Sequence, residues 1–396
     1  MAEGVVIAGA VRTPTGSFGG VFADVAAQRL GAIVVAESLK RSGVDPGSVD
    51  DLLFGNVLQA GLGMNVARQV GIQAGIPVAV PAVTINQACA SGLRAVAMAA
   101  QAIACGDAQV VVAGGCENMS RSPYLLRQAR FGYRMGSAEL VDSMLDGGLT
   151  CAIENYHMGI TAENVAADLG ISREEQDAFA VESQARASRA IEMGLFKDEI
   201  VPVEVPQPKG KVTVVDRDEH PRPGTTMEKL ATLRPAFKPD GTITAGNASG
   251  INDGAAAMVV MSAAAADRLG VRAMARIVGY AWSGIEPRIM GLGPVLAVRK
   301  VMERTGLKLS DIDLIELNEA FAAQSLGVIR QLGLDRSILN VNGGAIALGH
   351  PIGASGARIL VTLLHEMERR SARRGLATLC VGGGQGIAMI VERISP

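Results

Sequence analysis

The sequence predicts an α/β protein built from two similar halves, with a long segment inserted into the first half. Apolar strands alternate with helices of 3.6-residue period near both ends of the 396-residue chain, which indicates sheets covered by helices. Matching strand–turn–helix–strand motifs recur in the two ends, as expected of a duplicated unit. A composition of 48% hydrophobic and 3% aromatic residues with 48 glycines favours close packing of buried sheets.

Charge and cysteine content exclude several classes of partner. The 37 basic and 39 acidic residues leave a net charge of -2, which is no footprint for nucleic acid or an anionic membrane. The apolar runs stop well short of the ~18 residues that a membrane span needs. Five cysteines without close pairing favour a reducing compartment, so we expect a cytoplasmic protein without nucleic-acid or membrane partners.

The first half is predicted to occupy residues 1–116. The segment GVDPGSVDDLL (43–53) combines an Asp-containing turn with an apolar strand. The next strand, VPAVTIN, ends at Asn86 and leads through a Gly/Ala/Cys segment to a helix from Ser91. A further strand, QVVVAGG, closes this unit at Gly115.

The composition changes to Arg, Met, Glu and Pro between residues 117 and 250. A helical run in this segment begins with Ser172 and Glu175 at capping-box spacing. It is followed by an extended, Pro-rich stretch. The segment is too long for a passive linker, so we interpret it as a loop domain that covers a ligand, with 251–270 returning to the first half.

The second half is predicted to occupy residues 271–396. GLKLSDIDLI (306–315) repeats the turn and strand of the first half. SILNVN ends at Asn342, a Gly-rich segment leads to the helix from Ser355, and ATLCVGG closes a strand at Gly383.

The two repeats differ in one spacing. From Ser91 to Gly114 the chain advances 23 residues, whereas from Ser355 to Gly382 it advances 27. If these glycines are equivalent, the second half carries a four-residue insertion between helix and strand end.

A candidate nucleophile, Cys89, lies in NQACASG between a strand and a helix. A thiol at a helix N-terminus meets the helix dipole and free N–H groups, which favour the thiolate. The alternative is a small buried hydrophobic residue, which is how we interpret Cys105, Cys116 and Cys151.

Three further segments place reactive groups at strand ends. His350, one of four histidines, lies in a Gly-rich loop at the position equivalent to the Cys89 turn and could act as its base; the alternative is an ordinary loop histidine. In CVGGGQG, Cys380 precedes Gly382, and this segment offers free N–H groups to an oxyanion or forms only a tight turn. Asn318 of ELNEAF ends a strand and could equally be a helix N-cap.

These groups favour acyl transfer through a thioester followed by proton transfer, in a site where the halves meet. Two thiols with separate tasks suit that chemistry: one carries the acyl group and the other moves a proton. No nucleotide-binding GxxxxGK[ST] or GxGxxG loop is present, nor any CxxC or HExxH motif, so no metal site is predicted.

The ordered set of motifs resembles the thiolase family, and within it the acetyl-CoA C-acetyltransferases. The resemblance covers essentially the whole chain, through VRTPTGSFGG, NQACASGLRAV, GGCENMS, YHMGITAEN, LRPAF, GNASGINDGA, ELNEAF, GGAIALGHPIGASGARI and CVGGGQG. It implies a duplicated, five-layered αβαβα fold with an inserted loop domain. It also implies reversible Claisen condensation of two acetyl-CoA to acetoacetyl-CoA and CoA, and a homotetramer without a permanently bound cofactor.

The resemblance assigns roles that agree with the chemistry above. Cys89 is the nucleophile that becomes acylated, and His350 activates it. Cys380 exchanges the α-proton of acetyl-CoA. Asn318, through a water, and His350 form one oxyanion hole, and the N–H groups of Cys89 and Gly382 form the other.

The same resemblance predicts that the loop domain holds coenzyme A as substrate. The alternative for His157 is an ordinary polar core residue. The residues expected to contact CoA are His157, Met158, Arg222, Phe237, Ala248, Ser249 and Phe321.

Acyl chain length is the open question. The segment GLTCAIENYHMG departs from the family's short-chain pattern at Cys151, Ile153 and Asn155, whereas YHMG and Phe321 favour a short acyl group. The alternative is therefore a broad-chain 3-ketoacyl-CoA thiolase of fatty acid β-oxidation. A non-catalytic CoA-binding scaffold and a thiol-based redox sensor are the alternatives from other classes.

Overall fold

One ten-stranded sheet runs through the molecule, and it consists of two similar parts, the first sheet and the second sheet, which come from the two halves of the chain. The computed structural model describes residues 4–394, within which sixteen strands and eleven α-helices are assigned. The strands are β1 (Val5–Arg12), β2 (Gly16–Ser17), β3 (Asp51–Gly55), β4 (Ala82–Ile85), β5 (Val110–Asn118), β6 (Tyr124–Leu125), β7 (Val141–Asp142), β8 (Thr150–Cys151), β9 (Tyr156–His157), β10 (Val203–Pro206), β11 (Val212–Val215), β12 (Asn252–Ser262), β13 (Ala275–Gly284), β14 (Leu314–Leu317), β15 (Arg374–Val381) and β16 (Gln385–Arg393). The helices are α1 (Ala27–Ser42), α2 (Val66–Gln73), α3 (Ser91–Cys105), α4 (Met158–Leu169), α5 (Arg173–Glu192), α6 (Met227–Ala231), α7 (Ala263–Leu269), α8 (Gly293–Thr305), α9 (Ala322–Leu332), α10 (Ala345–Leu348) and α11 (Ile352–Arg370).

The sheet order shows the duplication. The first-half strands lie in the order β4-β3-β5-β12-β1 and the second-half strands in the order β13-β16-β15-β14. A parallel bridge between Ile315 and Leu339 stands in the place that β4 occupies in the first half. The halves join where β1 and β13 pair over two residues, Val6 with Arg276 and Ile7 with Ala275.

The structure corrects one expectation about the repeat. Strand β5 begins at Val110, 19 residues after Ser91, and β15 begins at Arg374, also 19 residues after Ser355. The repeats therefore match without an insertion, and the predicted four-residue insertion is wrong. Gly114 lies inside β5, whereas Gly382 follows the end of β15, so matching Gly114 to Gly382 was the source of the error.

Helices α3 and α11 form a middle layer between the two sheets, which confirms the predicted αβαβα arrangement. Alternate residues of β5 face opposite ways: Val111 packs in the core shared with α3 and α11, and Val112 packs in the core of α1 and α2. Helices α8 and α9 cover the other sheet. The middle helices approach closely because a Cβ on Gly92 or Gly356 would lie 2.8 or 2.5 Å from backbone nitrogen of the opposite helix.

One described stretch, Ala88–Cys105, is long and apolar enough by length and composition to cross a membrane. The expectation that the apolar runs are too short overlooked it. The stretch contains α3, whose position between the two sheets accounts for its apolar composition.

The inserted segment leaves the first sheet after β5 and returns at β12, where Asn118 pairs with Asp253. The predicted capping box is confirmed, since the Glu175 N–H donates to Ser172 Oγ and the Ser172 N–H donates to the Glu175 carboxylate. Helix α4 of the insertion packs on α9 of the second half. The insertion therefore lies against the second half as well as the first.

A buried ion-pair cluster also ties the insertion to β1. Arg12 Nε donates to Glu199 at 2.6 Å, and its two terminal nitrogens donate to the Asp218 carboxylate at 2.7 and 2.9 Å. Both carboxylates come from the insertion, and all three side chains are at most 1% exposed. Removal of one partner would leave a buried charge unpaired, so we expect this contact to hold the insertion in place.

Candidate active site

Cys89 lies in a tight turn between β4 and α3. Ser91 Oγ accepts a hydrogen bond from the Gln87 N–H at 2.9 Å and donates to the Ala88 carbonyl at 2.7 Å, which closes the turn. Ala88 has a φ of +44°, a left-handed conformation that is costly for alanine. The turn thus presents Cys89 at the amino end of α3, as the sequence predicts.

The protonation state of this thiol differs from the expectation. Desolvation raises the pKa of Cys89 to about 11, although N–H groups of Gly382 and of Cys89 itself donate to the sulfur and lower it. Burial therefore outweighs the helix N-terminus, and Cys89 rests as a neutral thiol. Such a thiol needs a base to become a nucleophile.

His350 lies in the equivalent turn, between α10 and α11. Its backbone N–H donates to Asn252 Oδ1 at 2.9 Å. Its Nδ1 lies 2.6 Å from Ser355 Oγ, and that hydroxyl donates to the Pro351 carbonyl at 2.8 Å. Because the hydroxyl proton is used, we assign the Nδ1 proton to the His350–Ser355 bond, which leaves Nε2 as a bare acceptor.

His350 is held in the neutral form. Burial, with the Arg358 charge as a second cause, lowers its pKa to about 3. Within residues 4–394, its Nε2 is buried and has no hydrogen-bond partner. A neutral imidazole with a free Nε2 is the state that a general base requires.

Asn318 lies behind His350, at the end of β14. Its Nδ2 is 3.4 Å from His350 Nδ1, and its backbone N–H donates to the Thr378 carbonyl at 3.0 Å. Among the described residues its buried Oδ1 has no partner. The N-cap alternative is wrong, because Phe321 holds that position on α9.

Cys380 and Gly382 belong to the hairpin between β15 and β16. Val381 pairs with Gln385, so a three-residue loop begins with Gly382. Cys380 is completely buried, and burial together with the neighbouring Cys89 raises its pKa. Gly384 has a φ of +85°, and a Cβ there would lie 2.3 Å from a carbonyl oxygen, so only glycine fits.

A cavity of about 390 Å³ connects these turns with the insertion. Cys89, His350 and Gly382 line it, whereas Asn318 and Cys380 are fully buried and do not line it. All seven predicted CoA contacts line the same cavity: His157, Met158, Arg222, Phe237, Ala248, Ser249 and Phe321.

Three aromatic rings form part of the cavity wall. The rings of His157 and Phe237 stack at 4.6 Å, and Phe237 meets Phe321 edge-on at 6.2 Å. His157 Nδ1 accepts the Gly159 N–H at 3.0 Å, and burial lowers the pKa of the imidazole. His157 therefore caps α4 and also faces the cavity, so the polar-core interpretation describes only part of its environment.

The GNASG and NEAF segments lie antiparallel in the wall. Ala248 and Phe321 form a backbone bridge, and the Ser249 N–H donates to the Ala320 carbonyl at 2.9 Å. Met158 is buried beside Gly382, and Arg222 is exposed. The wall is thus apolar and backbone-rich inside, with a cation on its exposed side.

Sequence reasoning missed His220 and the role of Ser355. His220 lines the cavity, and desolvation, with the Arg222 charge second, lowers its pKa to about 4. A lone histidine in a Pro-rich segment carries no periodic signal. Ser355 was predicted only as a helix start, and its match to Ser91 was the available signal for a turn-fixing role. No group of three or more His, Cys, Asp or Glu suited to a metal ion occurs among residues 4–394.

Known proteins share this arrangement over the full chain. Residues 5–264 match the family model for the thiolase N-terminal domain, and residues 271–393 match that for the thiolase C-terminal domain. An acetyl-CoA acetyltransferase of Pseudomonas aeruginosa is 59% identical over 99% of this chain and 100% of its own. That of Syntrophomonas wolfei is 58% identical over 100% of both chains.

Solved structures are similarly close. The acetyl-CoA acetyltransferase of Bacillus anthracis superimposes with a TM-score of 0.97 at 47% identity, over 99% of both chains. Human mitochondrial 3-ketoacyl-CoA thiolase superimposes with a TM-score of 0.96 at 46% identity, also over 99% of both. With both family models matched and curated relatives this similar, the chain belongs to the thiolase family.

Proposed function

We propose that this protein is an acetyl-CoA C-acetyltransferase, which condenses two acetyl-CoA to acetoacetyl-CoA and CoA and catalyses the thiolytic reverse. The observation that carries the proposal is the meeting of Cys89, the bare Nε2 of His350 and the Gly382 N–H at one cavity. The names of the curated relatives support the same reaction.

The first half-reaction forms an acyl-enzyme. His350 Nε2 accepts the Cys89 proton, and the thiolate attacks the thioester carbonyl of acetyl-CoA. The developing oxyanion takes hydrogen bonds from the N–H groups of Cys89 and Gly382, each worth roughly 3 kcal/mol in such a site. Collapse of this intermediate leaves acetyl-Cys89, and the protonated imidazole returns its proton to the departing CoA sulfur.

The second half-reaction needs a carbanion equivalent. His350 Nε2 accepts the Cys380 proton, and the Cys380 thiolate then takes the α-proton of a second acetyl-CoA. The protonated His350 imidazole and a water on Asn318 donate hydrogen bonds to the enolate oxygen. The enolate attacks acetyl-Cys89 and releases acetoacetyl-CoA, and the departing Cys89 thiolate takes the proton back from His350. In the reverse direction CoA cleaves the ketothioester, since one thioester replaces another at little thermodynamic cost.

We propose a short acyl group. Cys89 packs against a cluster of buried apolar side chains that limits the space behind the thiol: Val57, Leu58, Met119, Met144 and Ile352. Leu149 and Met119 also line the cavity. Ile153, a departure from the short-chain pattern, is 65% exposed and lies outside the cavity wall, so it does not shape this space.

The second candidate is a broad-chain 3-ketoacyl-CoA thiolase, which the similarity to the human mitochondrial enzyme favours. Chain-length profiling separates the two, with CoA-dependent loss of ketothioester absorbance measured for acetoacetyl-CoA and longer 3-ketoacyl-CoA esters. We expect kcat/KM to peak at acetoacetyl-CoA. Activity that holds or rises with length would replace the proposal with the broad-chain enzyme, and no turnover of any ester would favour a scaffold.

Substitution of the apolar side chains behind the Cys89 thiol gives a sharper test of the proposed chain-length preference. Met119→Ala and Leu149→Ala should raise kcat/KM for six-carbon over four-carbon substrates by roughly tenfold, because each removes apolar bulk worth about 1–3 kcal/mol of discrimination. Ile153→Ala is the matched control, and we expect no change in its profile. An unchanged profile in all three variants would show that another surface sets chain length.

Coenzyme A is proposed as a substrate and product, and no resident cofactor is proposed. The reaction is proposed to be a step in fatty acid metabolism. We also propose a cytoplasmic protein, which the five free thiols support.

A homotetramer, as a dimer of dimers, is proposed for the assembly. Two exposed apolar patches support it: Met64, Val78 and Val83 near the edge strand β4, and Phe131, Met135 and Leu140 between β6 and β7. Analytical ultracentrifugation tests the assembly, and a monomer would contradict it.

A further inference from the structure

One side-chain hydrogen bond joins the turns that carry Cys89 and Gly382, which belong to different halves. Gln87 Nε2 donates to Gln385 Oε1 at 3.0 Å. Gln87 lies two residues before Cys89, and Gln385 lies three residues after Gly382. The bond therefore connects the two strand ends whose N–H groups face the acyl oxygen in the proposed reaction.

The Gln385 end of this bond is anchored within the second half. Gln385 pairs with Val381 across the hairpin and with Gly284 of β13. The Ile285 N–H donates to the Gly384 carbonyl at 2.8 Å. These backbone contacts hold the hairpin independently of the first half.

The Gln87 end lies in a turn that needs support. The turn contains Ala88 in a left-handed conformation, which costs on the order of 1–3 kcal/mol and persists only where neighbours enforce it. Within the described residues, the buried Gln87 Oε1 has no partner. Within residues 4–394, the bond from Nε2 to Gln385 is therefore the only hydrogen bond that the Gln87 side chain makes.

We propose that Gln87 and Gln385 are positioning residues that set the separation of the Cys89 and Gly382 N–H groups and thereby the rate of acyl transfer. The inference rests on the proposed function. Two donors on separate halves act on one oxyanion only if the halves keep their register, since a misplacement near 1 Å costs about 100-fold in rate. Within residues 4–394, sheet pairing between the halves covers two residue pairs, far from this point in sequence.

The test is a double-mutant cycle in acyl transfer. Gln87→Leu, Gln385→Leu and the double variant are compared with wild type by exchange of labelled CoA into acetyl-CoA and by steady-state thiolysis of acetoacetyl-CoA. Each single change should lower kcat roughly tenfold and leave KM for CoA within about twofold, because the bond acts on the transition state. The double variant should be no slower than the slower single variant.

Gln28→Leu is the matched control. Gln28 Nε2 donates to Gln69 Oε1 at 3.1 Å, and its own Oε1 is buried without a partner among the described residues, as in Gln87. This pair lies outside the cavity wall. Thermal unfolding of all variants shows that each folds, and we expect Gln28→Leu to retain the wild-type kcat.

The outcomes separate this inference from the proposed function. Single variants no slower than Gln28→Leu, or losses that simply multiply in the double variant, would overturn the positioning role. Variants in which kcat falls and KM rises by the same factor would show that the bond stabilises the fold instead. Wild type without thiolysis or exchange would contradict the proposed function itself.

Discussion

The Cys89 turn and the His350 turn occupy equivalent places, each on the connection from the sheet to a middle-layer helix. In the first half the chain passes from Ile85 to Ser91 in one tight turn, whereas in the second it passes from Leu339 to Ser355 through α10. In each half, a serine on the following helix fixes the turn. Ser91 binds backbone groups only, but Ser355 binds the reactive imidazole itself.

The difference in length has a chemical consequence. The short turn leaves Cys89 partly exposed at the cavity, where a large thioester can meet it. The long turn encloses His350, which is 5% exposed and held neutral with its Nε2 free. The duplication thus places an equivalent turn in each half. The longer connection before Ser355 makes the second turn a site for a base, whereas the short connection before Ser91 carries the nucleophile.

Removal of the nucleophile should have the largest effect. Cys89→Ser should lower kcat for acetoacetyl-CoA thiolysis by more than roughly 10⁴-fold, because the hydroxyl is a far poorer nucleophile than the thiolate that His350 generates. Cys105, at the other end of α3, is exposed, so its interpretation as a buried hydrophobic residue is wrong, whereas Cys116 and Cys151 are buried as predicted. Cys105→Ser is therefore the control and should keep wild-type activity. A Cys89→Ser enzyme with near-normal kcat would refute the assignment.

Loss of the base should have the next largest effect. His350→Asn should reduce kcat by about 10³-fold, within the usual range for general-base removal. Because Cys89 rests as a protonated thiol, raising the pH toward its pKa of about 11 should recover part of the acylation rate in this variant. Acylation by acetyl-CoA in rapid-quench experiments measures this, and a pH-independent deficit would contradict the base role.

The two serines compare the turns directly. Ser355→Ala should lower kcat roughly tenfold, because the bond that keeps the His350 proton on Nδ1 is lost and the proton can then occupy Nε2. Ser91→Ala should cost about 1 kcal/mol of stability but change kcat less, since it removes only turn hydrogen bonds. Steady-state kinetics and urea unfolding of both variants provide the test, and equal effects on kcat would mean that the turns do not differ in this way.

The smallest expected effect is on stability at mildly acidic pH. His350 has an ordinary pKa of 6.5 and a folded pKa of about 3, so its contribution is complete above 6.5 and is lost as the pH falls. Between about pH 7 and 5.5 the unfolding free energy of wild type should fall by roughly 1 kcal/mol more than that of His350→Asn. His220 titrates in both proteins and cancels. Parallel losses in the two would show that His350 does not carry the effect.

Sequence patterns predicted much of this arrangement. The end of β4 beside Asn86, the helices from Ser91 and near Ser355, and the placement of Cys89, Cys380 and Gly382 at strand ends follow from local periodicity and turn residues. The predicted strand ending at Asn342 and the strand-end position of His350 are wrong, because this segment forms a bridge at Leu339 and then the short helix α10 before His350. The five-layered stack was implied by family resemblance, since periodicity does not say which helices become the middle layer. The Gly92 and Gly356 contacts that permit this layer depend on tertiary packing.

The remaining features depend on burial and register. The raised pKa of Cys89 could not be read from a helix N-terminus, because desolvation depends on packing from both halves. The supposed insertion arose from matching glycines that occupy different strand positions. The Gln87–Gln385 bond spans 298 residues of sequence, so no local pattern indicates it.

The central claim is that Cys89 carries the acyl group while the second half supplies base and acid. Peptide mass spectrometry after acid quenching with acetyl-CoA tests it most directly. We expect one acetyl group on the peptide that contains Cys89, removed by added CoA and absent in Cys89→Ser. Acetylation of Cys380 instead, or turnover without any acyl-cysteine, would contradict the account.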